Sequence, residues 1–171
     1  FVDAPECASA LTLQAAYPNL VVTRTFSKAY ALAGLRVGFA IAHPGLIAVM
    51  ERVRESFNVN SAGLAAAEAA LGDVEHLDWV VARNAEQRDA LATALRARGL
   101  TVFPSQTNFL LTQFAAPGEN ARVAKIEAAL CEVGVVLRPM VGYGLGHCLR
   151  ITVGNADENR RLLAALDEVL A

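Results

Sequence analysis

Two strand-like runs, and the shortness of the segment between them, constrain this chain most. Leu20-Val-Val-Thr-Arg-Thr-Phe26 is rich in β-branched and aromatic residues and follows the turn pair Pro18-Asn19. Leu35-Arg-Val-Gly-Phe-Ala-Ile-Ala42 is a second such run. Only Ser27-Lys-Ala-Tyr-Ala-Leu-Ala-Gly34 separates them, too short for a helical crossover of about a dozen residues. The pair is therefore expected to run antiparallel, with Arg36 on the second strand.

Helical signals follow. Pro44 stands where a helix-starting proline belongs, and Leu46, Ile47, Met50, Val53 and Phe57 recur at helical spacing. Asn58-Val-Asn60 breaks that pattern, and Ser61 can cap an alanine-rich helix that stops at Gly72. Asp73 can open a longer helix ended by Gly99, expected to connect two structural units. From Thr101 the order reads strand, strand, helix, strand, strand, helix. Its strands fall at 101–103, 108–112, 135–138 and 148–153, its helices at about 119–133 and after Asn155. Interleaved strands and helices define an α/β or α+β chain with a boundary near Gly72, hence two expected domains, 1–72 and 73–171.

Composition narrows the function classes. The 171 residues are 54% hydrophobic and 19% charged with a net charge of −2, which gives no pull toward nucleic acid or an anionic membrane. No uninterrupted apolar run reaches the roughly 18 residues of a membrane span, and the opening Phe-Val-Asp-Ala-Pro-Glu does not read as a signal peptide. Cys7, Cys131 and Cys148 form no C-x-x-C pair, and His43, His76 and His147 are scattered. Neither a disulfide framework nor a metal site is expected, and a reducing cytoplasm is the default compartment. The chain opens without Met in what reads as a loop, so a piece of a longer protein is expected.

Among 15 basic residues only Lys28 and Lys125 are lysine. Lys125 stands near Glu127 on an amphipathic helix, an ordinary solvated charge. Lys28 lies among small and apolar residues at a strand end, where its amine can act as a nucleophile toward an aldehyde. Thr25 and Ser27 offer hydroxyls, and Arg36 can return a guanidinium toward them, the donor set a phosphate dianion needs. A lysine trap beside a phosphate cup suggests pyridoxal 5′-phosphate; the alternative is a turn lysine with capping hydroxyls.

Thr25-Phe-Ser-Lys28 followed by Ala33-Gly-Leu-Arg36 resembles the cofactor-lysine segment of fold-type I aminotransferases. The longer string from Asn19 to Gly38 is similar to the histidinol-phosphate aminotransferase branch. Phe57-Asn-Val-Asn60, Pro104-Ser-Gln-Thr-Asn-Phe109 and Leu149-Arg-Ile-Thr-Val-Gly154 fit that branch too, in matching order across essentially the whole chain. The resemblance implies a fold-type I PLP-dependent transferase fold: the C-terminal part of a large domain, then a small α+β domain. It makes Lys28 the Schiff-base lysine and general base, with Thr25, Ser27 and Arg36 on the cofactor phosphate.

Arg150 interrupts an apolar run, so on the residues alone it is either an edge-strand arginine reaching water or an anion receptor. The resemblance assigns it to the substrate's phosphate or carboxylate, and assigns Arg138 to the same phosphate. Asn108 either orients Arg150, reaches the substrate, or satisfies strand-end backbone. Gly142-Tyr-Gly-Leu-Gly146 is no dinucleotide fingerprint and reads as a loop beside the substrate mouth, with Tyr143 available to cover it. Phe26 and Tyr30 are expected to pack.

The branch's Asp-Glu-Ala-Tyr segment, which supplies the ring aspartate, has no match here. Phe1 fits its end and Asp3 is no substitute, so the chain is expected to be the C-terminal part of a longer enzyme, inactive alone. The implied reaction moves an amino group between L-histidinol phosphate and 2-oxoglutarate, giving imidazole-acetol phosphate and glutamate in histidine biosynthesis, by a homodimer. Aromatic amino acid transamination, threonine-phosphate decarboxylation and a non-catalytic interaction domain of the same fold are the alternatives.

Overall fold

The computed structural model describes residues 8–171; Phe1, Asp3 and Cys7 lie outside the described residues. The chain divides into two compact units between Val81 and Ala82, inside a helix, α3 (Val74–Ala97).

The first unit contains β1 (Val21–Thr25) and β2 (Gly38–Ala42), antiparallel as expected although their connection is twelve residues (26–37), with Thr25 opposite Gly38. Gly38 is required there, because a Cβ would lie 2.8 Å from the backbone oxygen of Arg24. Two helices follow, α1 (Pro44–Glu51) and α2 (Ser61–Gly72). The N-cap of α1 is His43, whose Nδ1 accepts from the Gly45 N–H at 3.1 Å, with Pro44 at the first helical position. Val53 and Phe57 lie beyond the end of α1.

The cap of α2 is Asn60 rather than Ser61. Its Oδ1 accepts from Gly63 N at 2.7 Å while its Nδ2 donates to Leu35 O at 3.0 Å, so one amide caps the helix and ties down the β1–β2 connection. A serine hydroxyl is too short to do both. Phe26, Val37 and Ala67 form the buried centre of this unit, with Tyr30, Leu32, Leu35 and Val59 packed around them.

The second unit is a four-stranded antiparallel sheet in the order β3-β4-β6-β5, with β3 (Thr101–Val102), β4 (Phe109–Gln113), β5 (Arg138–Pro139) and β6 (Cys148–Thr152). Leu110 and Ile151 turn to a core shared with Leu91 and Leu95 of α3, Leu130 of α4 (Asn120–Glu132) and Leu166 of α5 (Ala156–Val169). Asn155 starts α5 with a capping box: its side chain accepts from Glu158 N, and Glu158 accepts from Asn155 N.

The run Val135-Val-Leu137 is not a strand. Gly134, at φ +78°, and Val135 return their N–H groups to Cys131 O and Leu130 O, at 3.0 and 2.8 Å. That double closure of α4 uses the backbone donor Val135 would need for pairing, and β5 begins only at Arg138.

Candidate active site

In the first unit the candidate residues sit on the connection from β1 to β2. Phe26 starts it, 3% exposed and tilted against Tyr30 at a ring separation of 4.9 Å, so both aromatics pack as expected. Phe26 N donates to Val37 O at 3.1 Å and Leu32 N donates to Phe26 O at 3.0 Å, which clamps the connection at both ends. Between these clamps Ala31 N closes on Lys28 O at 2.9 Å, and Lys28 is exposed. Its ammonium makes no ion pair among the described residues.

Arg36 is not on β2. It closes a 3-10 turn, Ala33–Leu35, in the left-handed conformation at φ +58°, which no strand accommodates. Its Nη1 donates to Ala33 O at 2.6 Å, an internal brace for that strained backbone. The turn brings Arg36 to one open cavity of about 540 Å³ together with Thr25, Ser27 and Gly38. Thr25 Oγ1 accepts from Ser27 N at 3.1 Å, fixing the two hydroxyl-bearing residues against each other. Arg24 also lines this cavity, which strand alternation alone did not suggest. The lining holds two arginines and three hydroxyl-bearing residues (Thr23, Thr25, Ser27) and no carboxylate, residue types that can donate to an anion such as phosphate. Lys28 adjoins this lining through Ser27 but is not part of it.

In the second unit Arg138 and Arg150 are direct cross-strand partners, so they share one face of the sheet. Like charges placed opposite one another repel, and neither has a carboxylate partner among the described residues. The Nε of Arg150 is buried without a hydrogen-bond partner. Its guanidinium instead lies over the Phe109 ring, 4.9 Å from the centroid. Asn108 precedes β4 and its backbone carbonyl accepts from Val153 N at 2.9 Å; Arg150 Nε has no hydrogen-bond partner, so Asn108 does not hold it there.

Phe109 was legible as a β residue of an apolar run and as the end of the Pro104–Phe109 motif, with no role attached. Ser105 and Thr107 likewise emerge from the structure: their side-chain oxygens donate to Phe109 O at 2.6 and 3.2 Å. Val141–Tyr143 forms a short 3-10 turn beside β5, and Tyr143 is exposed.

A cavity lined by arginines and hydroxyl-bearing residues beside an exposed lysine, with a two-arginine sheet face elsewhere in the chain, offers residue types suited to anionic groups such as phosphate or carboxylate. The model of the aminotransferase class I and II family matches residues 1–166, and the chain belongs to that family. It is 46% identical over 170 residues to the histidinol-phosphate aminotransferase of an Anaeromyxobacter species, covering 99% of this chain and 46% of that relative. The chain thus spans about half the length of the curated relatives it matches.

Among solved structures it resembles the histidinol-phosphate aminotransferase of Sinorhizobium meliloti in complex with pyridoxal-5′-phosphate, at TM-score 0.81 and 34% identity over 90% of this chain and 41% of that one. It also resembles a putative histidinol-phosphate aminotransferase of Erwinia carotovora atroseptica, at TM-score 0.85 and 28% identity over 98% and 47%. Its mixed α/β fold is that of the fold-type I transferases.

Proposed function

We propose that this chain is part of an aminotransferase that uses pyridoxal 5′-phosphate to exchange an amino group between L-histidinol phosphate and 2-oxoglutarate, in histidine biosynthesis. The observation that carries the assignment is the Arg138–Arg150 pair: two uncompensated guanidiniums, in register on one sheet face, suit a substrate dianion. The names of the similar relatives supply the substrate.

The cofactor cup passes a test of donor chemistry. Thr25, Ser27 and Arg36 converge on a carboxylate-free cavity and would hold a cofactor phosphate. When bound, pyridoxal 5′-phosphate supplies an electrophilic aldehyde and a ring that withdraws electrons from the substrate carbon. Lys28 Nζ is the amine suited to bond that aldehyde and, once released, to take and return the proton at the substrate carbon. Arg138 and Arg150 would bind the phosphate or carboxylate of the substrate, with Asn108 a further candidate substrate residue.

Residues 1–72 then belong to the large cofactor-binding domain, and 73–171 form the connecting helix and small domain. A homodimer in the cytoplasm completes the proposal. Its support is the strongly exposed Val53, Phe57 and Leu64 around α1 and α2, apolar surface a partner would cover.

The test is amino transfer by the complete protein. Supplied with pyridoxal 5′-phosphate, it should form glutamate from histidinol phosphate and 2-oxoglutarate. Absence of glutamate under those conditions would sink the assignment.

A further inference from the structure

We infer that Phe109 is a positioning residue that aims Arg150 at the substrate anion; the inference rests on the anion-site reading above. An arginine that binds an anion must be held still by something, and a carboxylate partner would cancel the charge the anion needs. Arg150 has no carboxylate partner among the described residues, and its Nε has no hydrogen-bond partner at all. What it has is the Phe109 ring, 4.9 Å from the guanidinium carbon. A ring face attracts the flat cation while leaving its in-plane N–H donors unspent.

The register explains the approach. Leu111 is opposite Arg150 and Phe109 is opposite Thr152, so Phe109 is the diagonal neighbour of Arg150 on the face that carries Arg138.

The Phe109 backbone is itself held. Phe109 O accepts from Ser105 Oγ at 2.6 Å and from Thr107 Oγ1 at 3.2 Å, and Phe109 N donates to Thr107 Oγ1 at 3.3 Å. Thr107 O in turn accepts from Asn84 Nδ2 of α3 at 3.1 Å. Two polar side chains therefore hold the backbone of one aromatic residue, and a third, Asn84, holds the backbone of one of those two.

Phe109→Leu keeps the residue apolar and removes the ring; Phe109→Tyr keeps the ring. In the complete cofactor-loaded protein, Phe109→Leu should raise KM for the phosphorylated amino substrate about two- to thirtyfold, with kcat within about twofold. It should weaken the Kd of inorganic phosphate, measured by calorimetry, by the same factor. Phe109→Tyr should restore both, and Phe109→Leu should add nothing once Arg150 is alanine. A wild-type phosphate Kd in Phe109→Leu, or a full penalty persisting in the Arg150→Ala background, overturns the inference. Failure of the anion-site reading looks different: Arg150→Ala would itself leave the phosphate Kd unchanged.

Discussion

Asn159 satisfies both backbone polar groups of Gly154. Its Oδ1 accepts from Gly154 N and its Nδ2 donates to Gly154 O, each at 3.0 Å, and the same Nδ2 reaches Gln87 Oε1 at 3.2 Å. Asn159 is 7% exposed, so water cannot readily replace these bonds. Gly154 follows β6 closely, and the cluster anchors the end of the strand that carries Arg150. Asn159→Ala should therefore lower stability by about 1–3 kcal/mol, since it strands buried polar groups instead of removing them in pairs. Urea unfolding measures this; a change below about 0.5 kcal/mol would contradict it.

The arginine pair makes a prediction of opposite sign. Arg138→Ala removes a cross-strand repulsion and should raise stability in phosphate-free buffer by a few tenths of a kcal/mol, up to about 1 kcal/mol. Added phosphate should stabilise the wild-type protein and do so much less for the variant. Thermal melts with and without phosphate separate the two effects.

Lys28 should be irreplaceable even by another cation. Lys28→Arg keeps the charge but cannot bond an aldehyde, so it and Lys28→Ala should both lack the long-wavelength absorbance of lysine-bound cofactor. A retained band in either variant would move the covalent role elsewhere.

Acid stability should depend on the pair made by Arg98, just past the end of α3, and Asp167 of α5. Arg98 Nε and Nη2 donate to the two carboxylate oxygens of Asp167 at 2.6 and 2.7 Å, and this hydrogen bonding holds the Asp167 carboxyl below its ordinary value. A depressed native value stabilises the fold above the unfolded carboxylate range, about pH 4, and that contribution fades as pH falls through the native value. Asp167→Asn should accordingly be less stable than wild type at neutral pH and converge with it in strong acid. Parallel denaturation curves at several pH values would reveal any failure to converge.

The Cys131 thiol is pushed up, first by its hydrogen bond to Glu127 at 3.4 Å and then by burial. Glu127→Gln should speed its alkylation at mildly alkaline pH, because less of the thiol is held protonated. An unchanged rate, read by mass spectrometry of labelled peptides, would discard the link.

Element order was legible because it depends on spacing. β1 and β2 are antiparallel as expected, although twelve residues (26–37) separate them rather than the eight counted between the two runs, and glycines ended α2, α3 and α4 where the apolar pattern stopped. What stayed hidden depends on single backbone angles and on atoms shared between elements. Leu35-Arg-Val37 has strand composition, yet Arg36 is left-handed, and nothing in residue type announces a positive φ in an arginine. Asn60 and Ser61 are both good caps by type; the choice fell to Asn60 because its amide also reaches Leu35 O. The two arginines were visible as charges in apolar surroundings, but their direct opposition is a matter of register, and the Phe109 ring beneath Arg150 is a matter of diagonal reach.

That register gives loop length a chemical meaning. β5 is two residues long and pairs with β6 through Arg138 and Pro139 alone, so little besides the connection between them determines which residue faces Arg150. A slip of one position would turn Arg138 to the opposite face, leaving a single guanidinium where there were two. On the proposed reading of the arginine pair, gaining or losing one residue between Pro139 and Cys148 would shift preference from doubly to singly charged substrates without altering either arginine.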